Sequence, residues 1–197
     1  MQPIPATPMR VDEGPLYEQY TRAQAGKDLS MSTFMLPYLP TLRNLAGLCH
    51  HVTEFGLNQG TSALALLAGV RRNGVVVSVD CRWHLCVPGL ERLADLAEKR
   101  FCFRQANTLR IRIESTDLLF IDTLHTASQL ESELARHGDQ VRRFLVLHDV
   151  GIHWDKGEDG GPGLQGPVER LQRGCWTEIH REDHGCGLLV MERTGWR

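Results

Sequence analysis

Short runs of almost wholly apolar residues recur along the chain and alternate with segments of helical periodicity. The most apolar of them are VVVSVD (75–80), DLLFID (117–122) and RFLVLHD (143–149). A strand that is apolar on both faces is typical of a parallel sheet covered by helices on each side. The sequence therefore predicts an α/β fold, with further strands at the start of 52–62 and at 101–107.

The segments between these runs have the spacing of amphipathic helices, with proline near helix starts and glycine near helix ends. The predicted helices are 16–26, 37–48, 61–72, 88–100, 126–138 and 167–174. After the last of them, WTEIHRE (176–182) and GLLVMER (187–193) flank DHGC, which predicts an antiparallel hairpin at the C-terminus.

The segment VTEFGLNQGTS (52–62) joins the first strand to a helix through a glycine turn. Its acid, its two glycines and its two hydroxyl residues are Glu54, Gly56, Gly60, Thr61 and Ser62. Glycine takes positive φ and lets a ligand approach the backbone, while the free N–H groups of a helix N-terminus face the turn. The turn therefore predicts a nucleotide-like ligand, and the alternative is a structural turn that carries an acid by chance.

A second acid supports the ligand interpretation. Twenty residues beyond Gly60, the run VVVSVD ends in Asp80, where the second strand of a doubly wound sheet offers a carboxylate to ribose hydroxyls. A dinucleotide is disfavoured, because the turn has no GxG pair on which a pyrophosphate would lie.

Further polar side chains follow the other predicted strands. Asn107 follows FCFRQA, Asp122 and His125 lie in FIDTLHT, and His148 and Asp149 end the fifth strand. The carboxyl ends of parallel strands face the crevice where ligands bind, so these residues are candidates for a binding or catalytic site. A helix cap is the structural alternative for Asp122, and a plain turn residue is the alternative for Asn107.

The ExGxxxG turn and the terminal hairpin together resemble the class I S-adenosylmethionine (SAM) dependent methyltransferases. The resemblance implies a Rossmann-like, doubly wound and mostly parallel seven-stranded sheet with a C-terminal antiparallel hairpin. It also implies that SAM binds with its amino-acid end near Glu54, Gly56 and Gly60, at the helix start formed by Thr61 and Ser62. Asp80 would then hold the ribose, and Asn107 and Asp122 would complete the cofactor site.

The pair FIDTLH and LHD is similar to a small-molecule O-methyltransferase branch that includes macrocin O-methyltransferases and cephalosporin hydroxylase-like proteins. That resemblance implies Mg²⁺ on Asp122, His148 and Asp149. His148 departs from the pattern, because imidazole is a poor ligand for a hard cation. His148 or His125 is therefore a candidate general base instead. A hydroxylase-like role would need a redox-active metal, for which the sequence shows no ligand set.

The expected function is SAM-dependent methylation of a small-molecule acceptor, most plausibly on oxygen. The rival is a non-catalytic SAM- or nucleotide-binding or assembly module with the same fold. Nucleic acid is not an expected partner, since 22 basic and 24 acidic residues nearly balance and DTLH stands where amino-methylating enzymes carry a DPPY-type loop.

Cysteine usage and terminal composition predict a cytoplasmic protein without membrane association. The six cysteines form no CxxC pair, which favours reduced thiols, and no apolar run approaches the length of a membrane span. A zinc site on Cys81, His84 and Cys86 is a weaker alternative, because only three ligands are local.

Two segments outside the sheet pattern complete the domain prediction. Residues 1–40 comprise a proline-rich arm, which is expected to contact a second copy in a homo-oligomer, and helices, which are expected to cap the sheet edge or the ligand mouth. Residues 41–197 form the SAM-binding part of a single domain. The glycine-rich segment 151–163 is predicted to be a mobile lid that contacts the acceptor through Trp154.

Overall fold

Seven strands pair into one sheet in the computed structural model, which describes residues 14–28 and 30–194. The strands are β1 (His51–Phe55), β2 (Val75–Asp80), β3 (Arg100–Gln105), β4 (Thr116–Ile121), β5 (Val141–His148), β6 (Trp176–Glu182) and β7 (Leu188–Arg193). Their order is β3-β2-β1-β4-β5-β7-β6. Strands β1 to β5 pair in parallel, and β7 is antiparallel to both β5 and β6. The predicted mostly parallel sheet with a C-terminal antiparallel hairpin is confirmed.

Helices cover the sheet, and each lies within a predicted helical segment or overlaps it closely. They are α1 (Pro15–Gln24), α2 (Leu39–Ala46), α3 (Thr61–Gly69), α4 (Val87–Leu96), α5 (Ala127–His137) and α6 (Gln165–Gln172). All six end earlier than predicted, and the difference is largest for α3 and α4. Helix α3 stops at Gly69 because Val70 has extended backbone angles, and α4 stops at Leu96 because β3 begins at Arg100.

The buried faces of the sheet explain why its strands read as continuous apolar runs. In β4, Leu118 and Phe120 pack into one core with α1 to α4, whereas Leu119 and Ile121 pack into the other core with α5 and α6. Helix α3 is enclosed on nearly every side, from Thr61 to Leu67, which is why its sequence has little amphipathic pattern. Within residues 14–28 and 30–194, no helix has the length and apolar character needed to cross a membrane.

The N-terminal helices belong to the same core as the sheet. Leu16, Tyr20 and Ala23 of α1 are buried in the cluster that contains α2 and α3. Most of the predicted arm lies outside the described residues, so its role in an oligomer stays a prediction.

Candidate active site

A cavity of about 360 Å³ opens where the strand order reverses, between the carboxyl ends of β1 and β4. Ligands of open α/β sheets bind at this switch point. The cavity wall combines the glycine turn, the ends of β4 and β5, and the segment before α2. Its lining residues are Ser32, Phe34, Met35, Leu57, Asn58, Gln59, Thr61, Ser62, Asp122, His125, His148, Asp149, Ile152 and Cys186. Six of the predicted site residues line the cavity, namely Thr61, Ser62, Asp122, His125, His148 and Asp149.

Both turn glycines are required by the backbone. Gly56 has φ +88°, and a Cβ there would lie 2.0 Å from the carbonyl oxygen of Asp122. Gly60 has φ +79°, and its Cβ would lie 2.9 Å from Sγ of Cys86 and 3.0 Å from Cδ1 of Leu90. Gly60 therefore makes room for Cys86 and Leu90 at the start of α4, and its contact with the ligand stays a prediction.

The Glu54 carboxyl lies behind the turn and is fully buried. The hydroxyl of Ser62 hydrogen-bonds to Oε1 at 2.5 Å, and the hydroxyl of Ser78 hydrogen-bonds to Oε2. Burial raises the pKa of Glu54 to about 8, although these two hydrogen bonds oppose the shift. Because Ser62 lines the cavity and Glu54 does not, Glu54 supports the cavity wall instead of facing a cationic ligand.

The wall opposite the strand ends comes from residues that the sequence analysis did not single out. The backbone N–H of Ser32 donates to Oγ1 of Thr61 at 2.8 Å, which ties this segment to the start of α3. Phe34 extends from the same segment and is 71% exposed. The segment has no periodic pattern, so no sequence signal marked it as part of the site.

The Asp80 carboxylate is bound to the glycine turn. It accepts hydrogen bonds from the N–H of Leu57 at 2.9 Å and the N–H of Arg82 at 3.0 Å, and Nε2 of His84 lies 2.9 Å from Oδ2. Burial raises the pKa of Asp80, but the two backbone hydrogen bonds and His84 outweigh burial and leave it below the ordinary value. Asp80 thus fixes the turn, and its ribose contact stays a prediction. The weaker zinc alternative loses support, because His84 faces Asp80.

Asn107 has a structural role in the described fold. Its side-chain oxygen accepts a hydrogen bond of 2.8 Å from the N–H of Leu109 and caps a short 3₁₀ helix, Thr108–Arg110. The side chain is exposed, so its amide NH₂ stays available for the predicted adenine contact.

Asp122, His125, His148 and Asp149 form one cluster at the cavity floor, with their four ligand atoms all within 4.8 Å of one another. Nε2 of His125 lies 2.9 Å from Oδ2 of Asp149 and 3.3 Å from Oδ1 of Asp122. Nδ1 of His148 lies 3.0 Å from Oδ1 of Asp122 and 3.2 Å from Oδ2 of Asp149. The two histidines thus alternate with the two carboxylates. Asp149 adopts φ +58°, a conformation uncommon outside glycine that often marks functional positions.

The carboxylates strongly perturb both histidines. Burial lowers the pKa of each imidazole, but hydrogen bonds to Asp122 and Asp149 outweigh it and raise the pKa of His125 to about 10 and that of His148 to about 9. The pKa values of Asp122 and Asp149 are held below the ordinary range by the same contacts, against the effect of burial. Both histidines are therefore charged at neutral pH when nothing else occupies the cluster, and neither can then act as a general base.

The cluster's donor set does not fit Mg²⁺, which binds oxygen ligands almost exclusively. Half of the four donors are imidazole nitrogens, because His125 joins the three residues implied by the resemblance. The expectation that the chain lacks ligands for a redox-active metal is also wrong, since two histidines and two carboxylates converge here. Residues 122–125 and 148–149 are far apart in sequence, and only the pairing of β4 with β5 brings them together.

A buried polar network supports the loop that carries the cluster. Glu133 of α5 is fully buried and accepts hydrogen bonds from Thr108 at 2.7 Å, from Thr123 at 3.0 Å and from Gln129 at 2.8 Å. Burial raises the pKa of Glu133, and these hydrogen bonds oppose the shift. Sequence reasoning missed this residue, because an acid in an amphipathic helix is ordinarily exposed.

The glycine-rich segment 151–163 folds back on itself through backbone hydrogen bonds. The N–H of Gly157 donates to the carbonyl of Gly161 at 2.9 Å, and Lys156 bridges to Pro162. The guanidinium of Arg181 lies 4.5 Å from the ring centroid of Trp154, and Trp154 does not line the cavity. Ile152 is the apolar residue of this segment that lines the cavity, and the contact of Trp154 with the acceptor stays a prediction. Motion of the segment as a lid stays a prediction.

The sheet order, the crevice at the switch point and the terminal hairpin define a Rossmann-like fold of the methyltransferase type. No protein-family model and no curated protein matches the chain.

Solved structures with this fold cover nearly the whole chain. A Corynebacterium glutamicum protein aligns with a TM-score of 0.69 at 16% identity, over 96% of this chain and 94% of its own. A second match is the O-methyltransferase TomG from Streptomyces achromogenes, which is involved in tomaymycin synthesis and was solved with SAM. It aligns with a TM-score of 0.58 at 20% identity, over 95% of this chain and 93% of its own. An O-methyltransferase from Bacillus cereus solved with S-adenosylhomocysteine (SAH) aligns with a TM-score of 0.62 at 15% identity, over 94% of both chains. The predicted resemblance to SAM-dependent O-methyltransferases is confirmed at the level of the fold.

Proposed function

We propose that this protein is a SAM-dependent methyltransferase that transfers the methyl group to an oxygen of a small-molecule acceptor. The observation that carries the proposal is the convergence of the glycine turn, which Asp80 holds through the N–H of Leu57, and the cluster of Asp122, His125, His148 and Asp149 on one switch-point crevice. The SAM and SAH complexes of neighbours with the same fold support the choice of cofactor.

The cofactor half of the crevice is the glycine turn. Ser62 and the N-terminus of α3 offer polar contacts to the amino-acid end of SAM, and Asp80 lies one strand away for the ribose. Asp80 keeps acceptor capacity for hydroxyl groups, since a carboxylate has about four lone-pair sites.

The acceptor half combines apolar side chains with the polar cluster. Phe34 and Ile152 are 71% and 57% exposed, and both line the cavity that His148 and Asp149 close below. This arrangement fits a molecule with an apolar body and one hydroxyl directed at the cluster. A nearly balanced charge supports a small molecule over nucleic acid as the acceptor. We also propose a cytoplasmic location, in keeping with six cysteines that form no CxxC pair.

Methyl transfer needs the acceptor oxygen, the methyl carbon and the sulfur in line, and a hydroxyl that can lose its proton. An imidazole accepts a proton only in its neutral form. Both cluster histidines are charged at neutral pH in the ion-free protein, so neither serves as the base in that state. Hydrogen bonds to Asp122 and Asp149 raise the pKa of His125 to about 10 and that of His148 to about 9, above the ordinary histidine value of about 6.5.

Calorimetry with SAH tests the cofactor assignment. We expect wild-type protein to bind SAH, and Asp80→Asn to bind it about 10-fold or more weakly, since a hydrogen bond to a charged group contributes roughly 1.5–3 kcal/mol. Asp95→Asn, at an exposed carboxylate of α4, is the matched control and should bind like wild type. NADH binding more tightly than SAH would overturn the assignment.

Turnover separates the enzyme from a non-catalytic module. The purified protein should convert members of a panel of phenols and alcohols with apolar bodies into their methyl ethers and release SAH, as followed by mass spectrometry. SAH binding with no methyl transfer to any of these acceptors favours the non-catalytic SAM-binding module.

A further inference from the structure

The spacing of the four-residue cluster matches the coordination sphere of one metal ion. Bonds of about 2.0–2.2 Å to nitrogen and oxygen place neighbouring ligand atoms about 3.0 Å apart at right angles and about 3.4 Å apart at the tetrahedral angle. The four nitrogen–oxygen separations in the cluster are 2.9, 3.0, 3.2 and 3.3 Å. The four ligand atoms, which all lie within 4.8 Å of one another, are therefore close enough together to share one ion.

The charge of the cluster is also complementary to a divalent ion. Two neutral imidazoles and two carboxylates carry a net charge of −2, and metal ligation requires the histidines to be neutral. Two members of the cluster are shielded from water, with His148 4% and Asp149 9% exposed, and Asp122 and His125 are half-buried. Burial of two carboxylates is costly unless each is paired, and an ion at the centre would pair both at once.

The chemistry of the donors selects the kind of ion. Imidazole nitrogen suits Zn²⁺ and the divalent ions of iron, cobalt, nickel and copper, whereas Mg²⁺ prefers an all-oxygen site. Two histidines with carboxylates are a donor set found at catalytic zinc and non-haem iron sites.

The surroundings of His125 give a second, independent indication. Oε2 of Glu158 lies 3.4 Å from Nδ1 of His125, the ring nitrogen opposite the one that faces the cluster. The N–H of Glu158 also donates to the carbonyl of His125 at 3.2 Å, and the ring of His153 stacks on that of His125 with centroids 5.2 Å apart. Metal-bound histidines characteristically donate their other ring N–H to a carboxylate, which fixes the ring orientation.

We propose that Asp122, His125, His148 and Asp149 bind one divalent first-row transition-metal ion, with Zn²⁺ favoured over Mg²⁺, and that Glu158 is the positioning residue for His125. The ion would face the acceptor half of the cavity. This inference rests on the proposed function for the role of the ion, but ion binding itself is independent of methyl transfer. The competing arrangement is a ring of imidazolium–carboxylate ion pairs that holds no ion.

Titration of chelator-treated protein with Co²⁺ tests the site directly, because the visible absorption of Co²⁺ reports its ligands. We expect one Co²⁺ per chain, displaced by Zn²⁺ and retained in a large excess of Mg²⁺. His125→Ala and His148→Ala should abolish stoichiometric binding, and Glu158→Gln should weaken it by about 10–100-fold. His50→Ala, at an exposed histidine before β1, is the matched control and should bind Co²⁺ like wild type.

SAH calorimetry on the same samples distinguishes the two proposals and confirms that each variant is folded. A chain that binds SAH but no stoichiometric Co²⁺ overturns the metal site and leaves the methyltransferase proposal standing. A chain that binds stoichiometric Co²⁺ but not SAH overturns the methyltransferase proposal and leaves the metal site standing. Displacement of Co²⁺ by Mg²⁺, or unchanged Co²⁺ binding in both histidine variants, also overturns the proposed site.

Discussion

Glu54 has an environment far from that of a solvated side chain. Its carboxyl is fully buried, and its pKa is raised from 4.5 to about 8 by desolvation. From about pH 5 upward the unfolded chain releases this proton, whereas the folded chain keeps it until near pH 8. The unfolded state therefore binds fewer protons over this window, and stability falls as pH rises through it.

We expect Glu54→Gln to remove this contribution, because an amide of similar shape stays neutral at every pH. Urea unfolding at about pH 5.5 and about pH 8.5 should show a smaller loss of stability for the variant than for wild type. The difference should be a few kcal/mol at most, at about 1.4 kcal/mol per pKa unit. Glu91→Gln, at an exposed position of α4, should leave the pH dependence unchanged. An equal loss of stability between the two pH values in Glu54→Gln and wild type contradicts the prediction.

At the scale of elements, the junction between β1 and β4 depends on the absence of a side chain at Gly56. A Cβ at this position would lie 2.0 Å from the Asp122 carbonyl oxygen, far inside van der Waals contact, and φ +88° is strained for any other residue. The two strands approach so closely here because their backbones stay paired to the end of β1, where the N–H of Asp122, just after β4, donates to the carbonyl of Phe55 at 2.9 Å.

We expect Gly56→Ala to destabilise the fold by more than about 3 kcal/mol, since it combines backbone strain with a steric clash. Gly89→Ala is the matched control, because Gly89 lies in α4 and its Cβ would meet nothing within 4 Å. That substitution should be neutral or stabilise by up to about 1 kcal/mol. Denaturant unfolding measures both variants, and equal stability of the two would contradict the role assigned to Gly56.

The whole molecule should respond to cofactor binding as one unit, because the crevice joins strands whose buried faces form both cores of the sheet. At a concentration of SAH near 100 times its Kd, binding to the folded chain adds about 2.7 kcal/mol and raises the Tm by roughly 5–10 °C for a domain of this size. Scanning calorimetry over a series of SAH concentrations should show a steadily rising Tm. NADH at equal concentration should leave the Tm unchanged. A Tm that stays constant as the SAH concentration rises contradicts the proposed cofactor.

Local sequence patterns determined the architecture of this protein. Apolar runs separated by helical segments predicted the parallel sheet, and GLLVMER with WTEIHRE predicted the hairpin, because both signals depend on residues close together in the chain. The same holds for the glycine turn, where the residue type required by positive φ is visible in the sequence.

Tertiary structure alone decided which of the candidate residues meet and which are buried behind the site. The fourth member of the cluster, His125, meets His148 only because β4 pairs with β5, and Phe34 reaches the cavity only because its segment is tied to Thr61. Glu54 was predicted to face the ligand, yet strand alternation and the hydroxyls of Ser62 and Ser78 bury it behind the turn. Burial and the meeting of distant residues depend on the packing of the whole chain, so no local pattern contains them.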